Sequence, residues 1–383
     1  MQLGFPLSEE QELIWQTAKS FAAEKVAPGA AERDRKGRFP ADLLPAMGKL
    51  GLLGIKVPVD DGGAGADMTS YVFAIAAVSQ ACASTGVTLA VCNLAADILS
   101  RHGTPEQKER WLYPYLEGKL GAGTFALSEP HSGSDASALS TTAVRDDDAF
   151  VLNGTKQWIT NGGFAGIHLV FAKTSPDRGS RGITCFLVEQ GTKGLHAGAE
   201  EKKMGLRASN TAQLHLEDCR VPATNVLGEV DAGYGIALGC LDGGRIGIAG
   251  QALGIGEAAF DEGVRYATER KAFGKTVADF QASQFAIADS RTDLDTAWLL
   301  TLRAAAMRDQ SGRSAKESSM AKLFASEACG RVVDRMLQLH GGYGYVEDYP
   351  IERLYRDARV TRIYEGTSEV QRLVIAREIL KET

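Results

Sequence analysis

Residues 245–259 read RIGIAGQALGIGEAA, and two architectures compete for them. The run ends in GIGEAA (254–259), which fits G-x-G-x-x-A, the glycine pattern of a dinucleotide-binding turn. That turn needs a strand before it and a helix after it, so that the backbone can fold tightly against a pyrophosphate. Here Gly247, Gly250, Gly254 and Ala258 recur at steps of three or four, which places them on one helical face. A face of small residues lets a second helix approach closely. The run therefore reads as a helix-packing seam, and any dinucleotide has to bind by other means.

The helical period extends in both directions from this seam. Downstream, Leu294, Trp298, Leu302 and Ala306 step by four, and Met320, Phe324, Val333, Met336 and Leu337 continue the pattern. A last helix runs from Ser368 with Val370, Leu373, Val374 and Leu380 as its apolar stripe. Long helices with short joins make a bundle. The first 120 residues are also helical: Ser8 and Gln11 have capping-box spacing, Leu13, Ile14, Ala18 and Phe21 follow at helical intervals, and Pro28 stops the run. Between them the period changes. AFVLNGTKQWIT (149–160) carries Asn-Gly between β-rich runs, a hairpin signal, and GIHLVFAK, GITCFLVEQ and TAQLHLEDCRVP read as further strands. The expected fold is mainly α with a middle β domain: helical over 1–120, β over 121–230, and a helical bundle over 231–383.

Composition narrows the function. The chain has 383 residues, 44% apolar and 23% charged, with a formal net charge of −6. That balance opposes a nucleic-acid surface, which needs clustered Lys and Arg. Apolar runs such as YVFAIAAV (71–78) fall short of the ~20 residues of a membrane helix. The N-terminal MQLGFPLSEEQEL lacks a basic segment followed by an apolar one, so no secretory leader is expected. Six scattered cysteines and six scattered histidines offer no metal spacing. The simplest expectation is a cytoplasmic protein with reduced thiols.

Five stretches suggest chemistry, each beside a plainer reading. GTFALSEPHSGSD (123–135) is either a polar connection or a ligand loop offering backbone N–H groups and the hydroxyls of Ser128 and Ser134. KQWITNG (156–162) places Trp158 and Thr160 on one face of a strand, where Trp is more often core than a cofactor wall. ERKAFGKTVADFQ (269–281) is either a solvated helix end or a phosphate clamp with Arg270 as the bidentate donor. In QLHGGYGY (338–345), His340 reads as structural. Finally RIYEGTSE (362–369) sets the carboxylate of Glu365 between an aromatic ring and a glycine, just before a helix. Its plainer reading is a surface ion pair with Arg362 or Arg359.

Taken together, FALSEPHSGSD, KQWITNG, LDGGRIGIAGQALG, RKAFGKTVADFQ, QLHGGYGY and RIYEGTSEVQR resemble the acyl-CoA dehydrogenase family, in order and over the whole chain, with the nearest likeness to its short-chain, butyryl-type members. The resemblance implies a helical domain, a barrel-like or sandwich β domain and a four-helix bundle. It also implies FAD bound without a Rossmann turn, a homotetramer, and electrons passed to an electron-transferring flavoprotein in fatty-acid or branched-chain amino-acid breakdown.

Residue by residue, the family's flavin contacts fall on Phe125, Leu127, Ser128, Trp158, Thr160, Thr367 and Glu369. Arg270, Phe273, Gln281, Gln338, Gly341 and Gly342 match positions that reach FAD along a subunit contact. Ser134, Asp242, Arg245, Tyr364 and Gly366 match acyl-CoA contacts, and Glu365 matches the catalytic base. Some relatives carry the base just before the arginine of the GGR run. That position is Gly244 here, which leaves Glu365. STGVTLAVCN (84–93) is expected to line the acyl pocket. His131-Ser132 stand where many members have small residues. In the implied reaction Glu365 takes the α-proton of a thioester while the β-hydride leaves. Burial is expected to raise its pKa above the ordinary ~4.3, against only ~0.3–1 kcal/mol from the following helix start. An oxidase on the same scaffold and a DNA-binding offshoot of the family are the competing expectations. The acidic balance and the ending REILKET disfavour the second.

Overall fold

Gly233–Glu269 is one unbroken helix of 37 residues in a computed structural model that describes residues 6–382. The seam reading therefore holds, and GIGEAA lies in the middle of a helix. Residues 1–5, which begin the segment read for a leader, lie outside the described range with residue 383.

The N-terminal block contains α1 (Glu9–Phe21), α2 (Ala30–Lys36), α3 (Leu44–Lys49), α4 (Met68–Ala81), α5 (Ala83–His102), α6 (Pro105–Gln107) and α7 (Tyr113–Leu116). The middle block contains β1 (Ala122–Ala126), β2 (Thr142–Asp146), β3 (Ala149–Thr160), β4 (Ala165–Lys173), β5 (Ile183–Glu189), β6 (Leu195–Glu200), β7 (Thr211–Pro222) and β8 (Val226–Leu227). The long helix is α8. A small hairpin, β9 (Lys271–Ala272) and β10 (Lys275–Thr276), leads to α9 (Gln281–Ser311), α10 (Ala315–His340), α11 (Ile351–Ala358) and α12 (Ser368–Glu382).

α1 starts where the capping box requires. The Gln11 N–H donates to Ser8 Oγ at 3.1 Å and the Ser8 N–H to Gln11 Oε1 at 3.0 Å, satisfying two orphan donors. Its α-helical geometry gives way at Ala22 to a wider turn through Val26, before Pro28 is reached. At the seam, a Cβ on Gly250 would lie 3.1 Å from the Val72 carbonyl oxygen, and one on Gly254 2.8 Å from Ser79 Cβ. α8 thus rests on α4 almost backbone to backbone, and it packs also on α5, α9 and α10.

The predicted stripe on α9 holds for Leu294, Trp298 and Leu302, which are buried, but Ala306 is exposed and Ala305 takes the inward place. Each step of four overshoots a helical turn by roughly 40°, so the stripe drifts off the core. Of the stripe read on α12 only Val374 is buried, whereas Leu373 and Leu380 face outward. That stripe, as read, is not a core face of this chain. Among the described residues one helix, α5, is long and apolar enough to cross a membrane, a property the shorter runs did not suggest. It is nearly all buried against α4, α8 and β1.

The sheet runs β6-β7-β3-β2-β4-β5-β8, with β1 parallel to β4. Along β4, Ile167, Leu169 and Phe171 join the core shared with the helices, while Val170 and Ala172 join a second core within the β block. Both faces are covered, which is why GIHLVFAK reads as a continuous apolar run. The hairpin expected at Asn153-Gly154 is not there. That pair lies inside β3, and the chain reverses at Asp147-Asp148, with Asp147 at φ +52°. Gly154 is needed for proximity instead: the register with β7 slips beside it, and a Cβ there would lie 2.8 Å from Thr141 Cα.

Gly254→Leu should therefore cost roughly 1–3 kcal/mol through overpacking. Gly235→Ala, on the same helix with nothing within 4 Å of its new Cβ, should be neutral or stabilise by up to about 1 kcal/mol. Thermal unfolding of the two variants checks the contrast; equal losses would remove the seam from the account.

Candidate active site

Between a 3-10 turn (Arg359–Arg362) and α12 the chain passes through two successive left-handed residues, Glu365 at φ +54° and Gly366 at φ +86°. Glycine adopts that region freely, but glutamate does so at about 1–2 kcal/mol. Side chains from two helices hold the bend. Gln371 Nε2 donates to the carbonyl oxygens of both Glu365 and Gly366 at 2.9 Å, and Lys322 Nζ donates to that of Gly366 at 2.7 Å. Thr367 caps α12, its Oγ1 accepting from the Val370 N–H at 3.3 Å. The Tyr364 hydroxyl pairs with Gln251 Oε1, and Gln251 in turn donates to Ala83 O at 3.1 Å.

The bend turns the Glu365 side chain inward. Its Oε2 is buried with no hydrogen-bond partner, and it faces α8, where a Cβ on Gly244 would lie 2.9 Å away. The alternative position for a base and Glu365 are thus neighbours across the same small space, and the glycine leaves room for the carboxylate. Burial raises the Glu365 pKa above the ordinary carboxylate range, and the attraction of Arg245 and Lys322 only partly offsets it. Arg245 donates to Asp242 at 3.1 Å and to Ser319 Oγ at 3.4 Å. The surface-pair reading fails, because Arg362 pairs with Glu327 at 3.2 Å and Arg359 is exposed. Next to this cluster a cavity of about 750 Å³ opens, walled in part by Asp97, Cys240, Asp242, Arg308 and Glu317.

The loop after β1 is fixed from below. Buried Glu129 accepts from Lys156 Nζ at 2.7 Å, from the Ser140 N–H and hydroxyl at 2.6 and 2.8 Å, and from the Thr141 N–H at 3.0 Å. The Gln157 N–H donates to Ser128 O at 2.9 Å, so Ser128 sits directly beside Trp158. Trp158 is not core: it adopts φ +62° at a register break between Lys156 and Ile159, and 61% of it is exposed. The bulge also breaks the period of two that put Trp158 and Thr160 on one face. Thr160 is half-buried, Leu127 is buried, and Phe125 packs on Phe171 with centroids 4.9 Å apart. Ser134 and Glu369 are exposed. Of the run 84–93, all but Val91 are buried on α5, and Asn93 has a structural task, joining Leu52 O and the Ile55 N–H.

A second group collects at the far end of α8 and α10. The Arg270 guanidinium lies over the Tyr343 ring at 5.1 Å, which brings it beside Gln338, Gly341 and Gly342. Phe273 occupies the tip of the β9–β10 hairpin at φ +51° and is 96% exposed, and Gln281 opens α9 on the surface. Among the described residues, no hydrogen bond, ion pair or ring contact joins this group to Trp158 or Glu365. His340 is structural as read, with Nδ1 2.8 Å from Met336 O and its ring stacked on Tyr266.

The sequence reading missed Gln251, Lys322 and Gln371. Lys322 had a signal: it lies three and seven residues before Ala325 and Cys329, both buried on α10, so a cation sits on an apolar face.

Comparison with known proteins finds matches over nearly the whole chain. The N-terminal, middle and C-terminal domains of acyl-CoA dehydrogenase match residues 8–119, 124–219 and 231–380. The chain is 49% identical over 377 residues to the mitochondrial short-chain specific acyl-CoA dehydrogenase of Mus musculus, covering 98% of this chain and 91% of that protein. It is similar to butyryl-CoA dehydrogenase from Megasphaera elsdenii, with a TM-score of 0.95 at 41% identity, covering 98% and 99% of the two chains. A chain in the structure of the electron transferring flavoprotein of Acidaminococcus fermentans matches with a TM-score of 0.96 at 43% identity, covering 98% and 99%. The chain belongs to the acyl-CoA dehydrogenase family, FAD-dependent oxidoreductases that act on acyl-CoA thioesters.

Proposed function

We propose that the protein oxidises a short-chain acyl-CoA, straight or short-branched, to the trans-2-enoyl-CoA, with Glu365 as the base that takes the α-proton. The observation that carries this reading is the buried, unpartnered Oε2 of Glu365, held in a left-handed bend. Such a carboxylate lacks solvation and partners, so a substrate α-proton is a favourable acceptor of its lone pair.

The residues present fit a flavin. Trp158 offers an exposed ring at a bulge, beside a loop anchored by Glu129 and Lys156. Phe125, Leu127, Ser128, Thr160, Thr367 and Glu369 complete that group. FAD, when bound, supplies the acceptor for the β-hydride. Ser134, Asp242, Arg245, Tyr364 and Gly366 orient the thioester, and the Glu365 N–H donates to its carbonyl, where negative charge develops. Excluding water around Glu365 strengthens it as a base, because desolvation disfavours its charged form.

The relatives named above support the short-chain assignment and an electron-transferring flavoprotein as acceptor. The outward apolar residues Phe273, Tyr345 and Leu373 support self-association, which we take to form a homotetramer. In it, Arg270, Phe273, Gln281, Gln338, Gly341 and Gly342 reach FAD along a subunit contact.

Glu365→Gln keeps shape and hydrogen bonding but takes no proton at neutral pH. It should retain FAD and acyl-CoA binding while flavin reduction slows by about 10²–10⁴-fold; reduction at the wild-type rate would remove Glu365 as the base. Because the base must be ionised and its pKa is raised, the wild-type rate should fall as pH falls through a value above the ordinary ~4.3.

A panel of acyl-CoA thioesters, followed by bleaching of the flavin band, should give its highest kcat/KM with four- or five-carbon chains. The reduced enzyme should reoxidise faster with electron-transferring flavoprotein than with air; faster oxidation by air would favour an oxidase. Arg270→Ala should weaken FAD retention and the oligomer together, by linkage. Sedimentation of a fully flavinylated monomer would contradict the shared site.

A further inference from the structure

Lys322 lies in the first third of α10, fully buried, with its ammonium 2.7 Å from the Gly366 carbonyl oxygen. A buried cation requires a reason, since desolvation alone disfavours its charge. The carbonyl it holds belongs to the residue after Glu365, and Gln371 holds both that carbonyl and the Glu365 carbonyl. The fit is tight, as a Cβ on Gly366 would lie 2.7 Å from Gln371 Nε2. Without these donors, nothing else in the bend bonds to either oxygen among the described residues, and Glu365 would relax from a backbone region that non-glycine residues avoid.

We propose that Lys322 and Gln371 are positioning residues for proton abstraction: together they hold the bend that aims Glu365, and the Lys322 charge additionally stabilises the ionised carboxylate. This rests on Glu365 being the base. Several charged or titratable groups face the pair. Arg245 and Cys240 come from α8, Tyr71 from α4, Tyr364 from the bend itself, and Glu327 and Glu369 from α10 and α12. Arg377 on α12 faces Arg245 in turn. Arg245 is held by Asp242, so Lys322 is the cation among these whose ammonium is fixed to the bend. Burial lowers the Lys322 pKa to about 8, against the attraction of Glu365. It therefore remains mostly protonated at neutral pH, and its charge favours the ionised form of Glu365.

The test compares Lys322→Met, which removes charge and hydrogen bond, with Lys322→Gln, which removes the charge but keeps an amide donor. Gln371→Met removes a clamp and no charge. FAD content is measured first, then kcat and KM for flavin reduction as a function of pH. Both Lys322 variants should move the acid limb of kcat toward alkaline pH by about one unit or more, a roughly tenfold loss on the acid side, with KM changed little. Gln371→Met should lower kcat without moving that limb. Lys322 variants that hold FAD with the wild-type limb overturn the proposal.

If neither Lys322 variant loads FAD, NMR of side-chain 15N-labelled lysine decides, because it needs no access to the buried amine, with the Nζ signal of Lys322 followed across pH in wild type and Glu365→Gln. The half-titration of Lys322 should fall when the Glu365 charge is removed, and an unchanged titration overturns the proposal. Wild-type flavin reduction by Glu365→Gln would sink the base assignment itself, whereas an inactive Glu365→Gln beside unmoved Lys322 variants sinks only this inference.

Discussion

The whole molecule hangs on how closely α8 approaches α4. A helix of 37 residues spans about 55 Å, long enough to serve the N-terminal block, the sheet and the bundle at once. It can do so because Gly250 and Gly254 let its backbone settle against Val72, Ala76 and Ser79. Larger side chains would lift α8 away and open the space where Glu365 is now enclosed. The same helix repeats the device at its active-site turn, where Gly244 leaves the volume that the carboxylate fills. Packing and chemistry are therefore two uses of one composition.

Two buried carboxylates show what decides the fate of such a group. Burial pushes Glu129 upward, but a lysine at 2.7 Å and the donors of Ser140 and Thr141 hold it at about 2. Glu365 meets Arg245 and Lys322 only through space and keeps one oxygen unpartnered, so burial wins and its pKa rises. The first is a fastener for the loop beside Trp158. The second is left unsatisfied, which suits a group that has to bond to something arriving later.

Much of this was legible because the deciding signals are local. A capping box, a run of glycines at helical steps, and a strand covered on both faces each follow from neighbouring residues. The failures share a cause as well. Asn153-Gly154 carries a turn's composition, but the glycine is required by the approach of Thr141, the residue just before β2. Strand periodicity alone points Trp158 toward the core, because a bulge does not show in it. Leu373 and Leu380 read as a core stripe, since apolar spacing does not say what the stripe will face. Glu365 itself comes from the resemblance; one of the two side chains that hold its left-handed bend, Lys322, lies 44 residues away in sequence, which spacing does not reveal.

The burial of α5 has a consequence for how the chain is made. α4 and α5 are among its most apolar segments, yet the helix that covers them, α8, is encoded after the entire β block. At ribosomal speeds of about 5–20 residues per second, roughly ten to thirty seconds separate the emergence of α5 from the completion of α8. Throughout that interval the nascent chain presents a helix that resembles a membrane span, with the α8 part of its permanent cover not yet synthesised. Shielding by a holding chaperone, or temporary burial against the rest of the N-terminal block, is thus a requirement of the order in which these segments are translated.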